Sequence, residues 1–155
     1  MTPQEFTTTR RVEFRDTDAA GIMHFSVFFL YMEEAEHEFL RSLGLSVFTE
    51  EAAEGHEKSV LTWPRVRCEC EYHSPAKFEQ ELQIRIRIIR LGEKSVTYRA
   101  HFFHQDREVA AGTMTAVCCR IRGHHSPHPV TIPDAVREKL TPYVDPHPHG
   151  KPPHV

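Results

Sequence analysis

The longest amphipathic segment of the chain runs from Ser26 to Leu43. Apolar side chains recur in it at intervals of three and four residues and form one broad stripe, made of Phe28, Tyr31, Met32, Ala35, Phe39 and Leu43. This spacing is typical of an α-helix that covers a core with one face. Its predicted ends are Ser26, whose hydroxyl can cap the first turn, and Gly44, which follows the last apolar residue.

The period changes to two in the second half of the chain. Apolar residues alternate with polar ones over 82–88, and they alternate again over 96–102 after a turn at 91–94. This pattern predicts two half-buried strands joined as a hairpin. Further strands are predicted at 8–15, 59–73 and 108–121, whereas the acidic stretch 49–58 is predicted to be a short helix or a loop.

This order of elements predicts an α+β fold. A sheet with one apolar face has to be covered, and only one long helix is available to cover it. The economical arrangement is a curved antiparallel sheet wrapped around one long central helix. A single layer of this size leaves strand edges unpaired, so we expect two copies of the chain to associate through edge strands.

The end of the chain differs in character from the rest. Residues 1–130 are predicted to form the folded domain, and 131–155 a short helix, starting near Pro133, followed by a tail. The tail, 145–155, is rich in proline and histidine, and we expect it to be disordered. Its three histidines, His147, His149 and His154, have no fixed geometry to hold a metal ion, so a solvated tail is favoured over a metal site.

Charge and cysteine usage exclude several classes of function. The 155 residues carry a formal net charge of −3, which offers no basic surface for nucleic acid and no polybasic patch for an anionic membrane. No apolar run is long enough to span a bilayer or to serve as a signal peptide, so we expect a cytoplasmic protein with reduced thiols. The cysteines lack the C-x-x-C spacing of zinc sites, and we expect neither a metal nor a cofactor; they are Cys68, Cys70, Cys118 and Cys119.

Two aspartates just before the predicted helix are the candidates for chemistry. Asp16 and Asp18 lie in a turn-forming segment that ends at Gly21, where the backbone can approach a substrate closely. A helix N-terminus presents unpaired amides that stabilise an oxyanion, and a carboxylate beside it can attack a carbonyl carbon or activate water. From the residues alone, aspartates that merely cap the turn and the helix explain the pattern equally well.

The segment from Arg11 to Gly44 resembles the signature of the 4-hydroxybenzoyl-CoA thioesterase family of hotdog-fold enzymes. The signature residues here are D-T-D-A-A-G at 16–21 followed by Ile22, Met23 and His24. The similarity continues through 33–44 and 70–76, and in all it covers about residues 8–121. It implies a hotdog fold and hydrolysis of an acyl-CoA thioester.

The resemblance also assigns roles to individual residues. Asp18 is implied to be the catalytic carboxylate, either as a nucleophile or as a general base for water. Backbone amides near His24 and Phe25 would polarise the thioester carbonyl, Gly21 would help to position the substrate, and Asp16 would support the turn. A homodimer or homotetramer with the site between subunits is implied, so that the partner chain helps to bind the acyl-CoA.

Two positions depart from the family's pattern. His24 stands where Tyr or Trp is usual, and Val27 stands where Asn is usual. These changes leave the acyl group open, although Phe28 and Phe29 are predicted to line a pocket for an aromatic or short-to-medium acyl chain. Two alternatives stay open: a weakly active or non-catalytic protein that binds acyl thioesters, and a dehydratase that would rely on His24.

Overall fold

The structure is a computed structural model and describes residues 2–52, 55 and 57–147. Its β-strands and α-helices, in chain order, are β1 Phe6–Arg11, α1 Val27–Ser42, β2 Phe48–Glu51, β3 Ser59–Thr62, β4 Arg65–Tyr72, β5 Glu81–Leu91, β6 Ser95–His104, β7 Arg107–Val117, β8 Cys119–Arg122, β9 His128–Pro129 and α2 Asp134–Leu140. Short 3₁₀ turns lie at Phe14–Asp16 and Thr141–Tyr143. No helix among these residues is long and apolar enough to cross a membrane.

The larger sheet has five antiparallel strands in the order β1-β5-β6-β7-β4. Its centre is the predicted hairpin of β5 and β6, in which Ile86 lies opposite Ala100. Alternate side chains of β5 face the core, and those of Leu82, Ile84, Ile86 and Ile88 are fully buried. The intervening polar side chains, among them Arg85 and Arg87, lie on the opposite face. The hairpin prediction is confirmed.

The apolar stripe of α1 packs on the inward face of this sheet. Phe39 is fully buried, and its ring lies 5.5 Å from that of Phe6 and 4.7 Å from that of Tyr143, measured between ring centroids. Burial of one such side chain contributes about 1.5–3 kcal/mol to folding. The helix is therefore held by strands from the start of the chain and by the segment after α2.

The prediction that one long helix alone covers a single sheet is wrong. α1 has 16 residues, one fewer at each end than the predicted segment 26–43, and α2, the short helix predicted near Pro133, adds seven residues. Ile132, just before α2, and Leu140, at its end, are buried in the same core cluster. Segments after residue 130 therefore share the cover of the core. Most of the predicted tail, including His149 and His154, lies outside the described residues.

A second, smaller sheet was not predicted. Its four strands lie in the order β2-β3-β8-β9. Residues 49–51, in the stretch predicted to be a short helix or a loop, belong to strand β2. The long strand predicted at 108–121 divides at Cys118, whose amide donates a hydrogen bond to the Lys94 carbonyl. After this point the chain leaves β6 and pairs with β3 as β8.

Candidate active site

The segment between β1 and α1 folds into a tight hairpin. Thr17 and Met23 form an antiparallel bridge, and the amide of Asp18 donates to the carbonyl of Ile22 at 2.9 Å. Gly21 turns the chain at the tip with φ +75°, a left-handed conformation that glycine adopts without steric cost. The returning arm leads within a few residues into α1. Asp18 and the start of the helix therefore lie in one short, hydrogen-bonded segment.

The carboxylate of Asp18 is half-buried and only partly committed to the turn. Its Oδ1 atom accepts a hydrogen bond from the amide of Ala20 at 2.8 Å. Its Oδ2 atom has no hydrogen-bond partner among the residues that the structure describes. One oxygen thus holds the side chain in place, and the other is available to a substrate or a water molecule.

Asp16 is bound quite differently, although it lies only two residues away. Its carboxylate is buried, and Oδ2 accepts from the Tyr31 hydroxyl at 2.6 Å and from the Glu13 amide at 2.9 Å. Burial, together with this carboxylate, raises the pKa of Tyr31, which keeps the hydroxyl protonated as a donor. The bond from Tyr31 joins the turn to the second turn of α1, as a turn-supporting role for Asp16 requires.

The two backbone amides expected to face a substrate differ in their availability. The His24 amide donates to the carbonyl of Asp16 at 2.8 Å and is used to close the hairpin. The Phe25 amide has no acceptor within the described part of the chain. Of the two, the Phe25 amide is therefore the one free to stabilise an oxyanion.

The His24 side chain is held by Ser26. Its Nδ1 atom lies 2.7 Å from the Ser26 hydroxyl and accepts from the Ser26 amide at 3.2 Å. Because an amide can only donate, the proton of the neutral ring is assigned to Nε2. The hydroxyl of Ser26 makes no capping bond to α1, so the predicted side-chain cap is wrong. The imidazole stacks on the exposed ring of Phe25 at 4.5 Å.

The two predicted acyl-pocket residues occupy different environments. Phe28 is 3% exposed, and its ring makes edge contacts with those of Tyr72 and Phe102 at centroid distances of 5.2 Å. Phe29 is half-buried beside the same core. Two surface grooves, one of about 510 Å³ on the outer face of the larger sheet, draw no lining residue from positions 16–29. An acyl group bound at this site would therefore lie outside both grooves and contact other residues.

Sequence reasoning missed one residue at the site. Tyr72, the last residue of β4, donates a hydrogen bond from its hydroxyl to the Phe25 carbonyl at 2.8 Å. It lies within the stretch 70–76 that resembles the thioesterase signature, but nothing in the pattern singled it out.

Among the described residues no three metal-ligating side chains come close enough together to hold a metal ion.

Comparison with known proteins places these features in a family context. Residues 12–140 match the sequence profile of the thioesterase-like superfamily. A 1,4-dihydroxy-2-naphthoyl-CoA hydrolase of Prochlorococcus marinus (strain MIT 9303) is 34% identical over 117 residues, which span 72% of this chain and 75% of that protein. The match includes the candidate site, since the profile begins at Val12, before the hairpin.

Solved structures extend the comparison to the fold. A gentisyl-coenzyme A thioesterase superposes with a TM-score of 0.69 at 29% identity, over 88% of this chain and 99% of its own. The 1,4-dihydroxy-2-naphthoyl-CoA thioesterase Slr0204 from Synechocystis gives a TM-score of 0.73 over 89% and 96% of the two chains, at 18% identity. Neighbours of this kind have the hotdog fold, as the sequence predicted.

Proposed function

The chain belongs to the thioesterase-like superfamily and is a thioester hydrolase, and from this we propose that it hydrolyses an aromatic or short-to-medium acyl-CoA at Asp18. One observation carries the proposal. Among the residues that the structure describes, one Asp18 carboxylate oxygen has no hydrogen-bond partner and the Phe25 amide has no acceptor, and both groups lie on one hairpin at the start of α1. A nucleophile or base beside an oxyanion donor is the arrangement that acyl transfer requires.

The proposed reaction uses these two groups in a defined order. The thioester carbonyl oxygen accepts from the Phe25 amide, which stabilises the charge that develops on it. Asp18 Oδ2 then either attacks the carbonyl carbon, forming a mixed anhydride that water hydrolyses, or takes a proton from an attacking water. In both routes the carbon–sulfur bond breaks and coenzyme A leaves as its thiol. Gly21 and His24 shape the approach to this point, and no metal or cofactor takes part in the proposed reaction.

An aromatic acyl group is the favoured form of the substrate. Two of the similar proteins are named for hydrolysing aromatic acyl-CoA esters, and the signature resembles that of 4-hydroxybenzoyl-CoA thioesterases. Exposed aromatic rings adjoin the hairpin: Phe25 is 62% exposed, and Phe14, 77% exposed, meets Phe78 edge-on at 5.9 Å. Such rings stack readily on an aromatic acyl group.

The reaction is tested by free-thiol release from a panel of benzoyl, hydroxybenzoyl, naphthoyl, acetyl, butyryl and octanoyl esters of coenzyme A. We expect turnover on at least one ester and the highest kcat/KM on an aromatic one. A preference for an aliphatic ester would overturn the aromatic assignment alone. Binding of the esters without thiol release would instead support an acyl-thioester binding protein.

The same proposal includes a homodimer or homotetramer whose subunits share the site. β4 is an edge strand of the larger sheet, and its last residue contacts the start of α1. Apolar side chains are exposed along this border: Phe25, Leu30, Val66 and Tyr72. A register shift between Arg65 and Arg67 leaves 67–72 as the regular part of the strand. A partner strand added there would cover these side chains and supply walls near Asp18.

Replacing Val66 with Asp is expected to weaken this association, because it places a charge among apolar side chains that the partner buries. We expect a dissociation constant raised at least about tenfold, with activity lost in parallel. Sedimentation velocity over a range of protein concentrations measures the first, and thiol release the second. Phe48→Asp is the matched control, since Phe48 is 59% exposed on β2, in the other sheet. A larger effect of Phe48→Asp would place the interface on β2.

We also propose that the protein is cytoplasmic. Coenzyme A esters are intracellular metabolites, and all four cysteines are free thiols in the structure.

A further inference from the structure

The Phe25 amide is bracketed by two hydrogen bonds to neighbouring carbonyls. The His24 carbonyl, in the same peptide group as the Phe25 amide, accepts from the Val27 amide at 3.1 Å. The Phe25 carbonyl, in the next peptide group, accepts from the Tyr72 hydroxyl at 2.8 Å. Together they restrict rotation on both sides of the Phe25 amide. The first bond belongs to the local turn, whereas the second comes from a strand 47 residues away in the sequence.

The phenol of Tyr72 is itself well anchored. Its ring meets the buried ring of Phe28 edge-on at 5.2 Å, and its backbone lies opposite Ala110 in the β4–β7 ladder. Burial raises the pKa of Tyr72 to about 12, so the hydroxyl keeps its proton at neutral pH. The larger sheet thus presents a fixed donor to the residues just before α1.

Phe25 has little other means of holding its position. Its side chain is 62% exposed and stacks on the ring of His24, a residue that is itself only half-buried. Within the described residues, the Tyr72 hydroxyl is the one side-chain group that bonds to the Phe25 backbone. An oxyanion donor acts by being held in place before the reaction, so movement of this peptide reduces catalysis without removing the amide.

We infer that Tyr72 is a positioning residue for the thioesterase reaction: its hydroxyl holds the Phe25 carbonyl so that the neighbouring Phe25 amide points at the substrate carbonyl. The inference rests on the proposed function, because it assigns a task to the Phe25 amide. It also joins the site to the edge strand, since Tyr72 is the last residue of β4. A contact that moves Tyr72 at that edge would therefore change the position of the Phe25 amide through the Tyr72–Phe25 hydrogen bond.

The test is Tyr72→Phe, which removes the hydroxyl and keeps the ring against Phe28. We expect kcat to fall about five- to tenfold on the best ester, the scale of one neutral hydrogen bond, with KM unchanged and the melting temperature lowered by no more than about 4 °C. The ¹H–¹⁵N signal of the Phe25 amide should shift in the free protein, which needs no turnover. Tyr143→Phe is the matched control, because the Tyr143 hydroxyl has no hydrogen-bond partner among the described residues.

Each outcome decides the point. A lower kcat together with a shifted Phe25 amide supports the inference. A kcat within twofold of the native value, or a loss shared equally by Tyr143→Phe, overturns it. A rise in KM at constant kcat also overturns it, since it would mean that Tyr72 binds substrate instead. If the native chain cleaves no ester, the proposed function fails, and an unshifted Phe25 amide then overturns the positioning role separately.

Discussion

Replacing Asp18 with Asn is expected to lower kcat/KM on the best acyl-CoA ester by at least about a hundredfold, the scale on which loss of a general base acts. The amide side chain keeps an oxygen that can accept from the Ala20 amide, so the turn should persist. It cannot attack the thioester or take a proton from water. Steady-state thiol release measures the loss, and an unchanged melting temperature shows that the hairpin is intact.

Asp106→Asn is the matched control, because Asp106 is an exposed turn residue between β6 and β7. We expect it to leave turnover within twofold of native. If Asp18→Asn retained full turnover, Asp18 would not be the catalytic carboxylate and the site would have to be sought elsewhere. Loss of activity accompanied by a large fall in melting temperature would instead point to a structural role in the turn.

The free energy of unfolding is expected to depend on pH through Glu36. This side chain is fully buried on the sheet-facing side of α1, 2.5 Å from the guanidinium of Arg65. Burial raises the pKa of Glu36 to about 7, against the opposing effect of Arg65. The folded state therefore binds a proton more tightly than the unfolded state, in which the pKa is near 4.5.

The sign of the effect follows from this difference. Between pH 4.5 and 7 the folded protein holds the extra proton, so the contribution of Glu36 to the free energy of unfolding is largest below pH 4.5 and is lost as pH rises through the folded pKa. Relative to Glu36→Gln, which cannot titrate, the native chain should lose about 2 to 3 kcal/mol between pH 5 and 8. Urea unfolding at a fixed protein concentration, repeated across this range, measures the difference.

Neighbouring groups have to be separated from this effect. Burial lowers the pKa of His37, which makes the folded state less stable as pH falls, the opposite direction within the same range. Because His37 is present in both proteins, its contribution largely cancels in the comparison. Glu33, Tyr98 and Arg65 also face Glu36 and are likewise unchanged. Glu138→Gln, an exposed change on α2, should follow the native curve, and a native curve parallel to that of Glu36→Gln would disprove the assignment.

Much of the fold could be predicted because its signals are local. The amphipathic segment 26–43 predicts α1 to within one residue at each end, and the alternation at 82–88 and 96–102 predicts the central hairpin. The segment 16–21 could be singled out because a turn before a helix and a family resemblance coincide there. The roles of Asp18 and Phe25 remain predictions, which now rest on one carboxylate oxygen and one amide that have no hydrogen-bond partner within the described residues.

Other features depend on contacts between distant parts of the chain. The division of the strand at Cys118 depends on pairing with β3, some 60 residues earlier, which no local period reveals. Glu36 reads as an ordinary polar helix residue, and only the packing of α1 against β4 buries it beside Arg65. The sequence likewise predicts Tyr72 only as a strand residue, and the hydrogen bond from its hydroxyl to the Phe25 carbonyl depends on the fold.

The helix, the central hairpin, the family resemblance and the two candidate aspartates could be identified from the sequence, because hydrophobic period and turn chemistry act over a few neighbouring residues. Contacts formed on folding set the hydrogen bonding at the site. The Asp16 carboxylate is bound by Tyr31, whereas within the described residues one oxygen of Asp18 has no partner and the Phe25 amide, unlike that of His24, has no acceptor. The physical reason is that hydrogen-bonding groups are satisfied in three dimensions: which donor or acceptor stays free depends on the partners that folding brings to it.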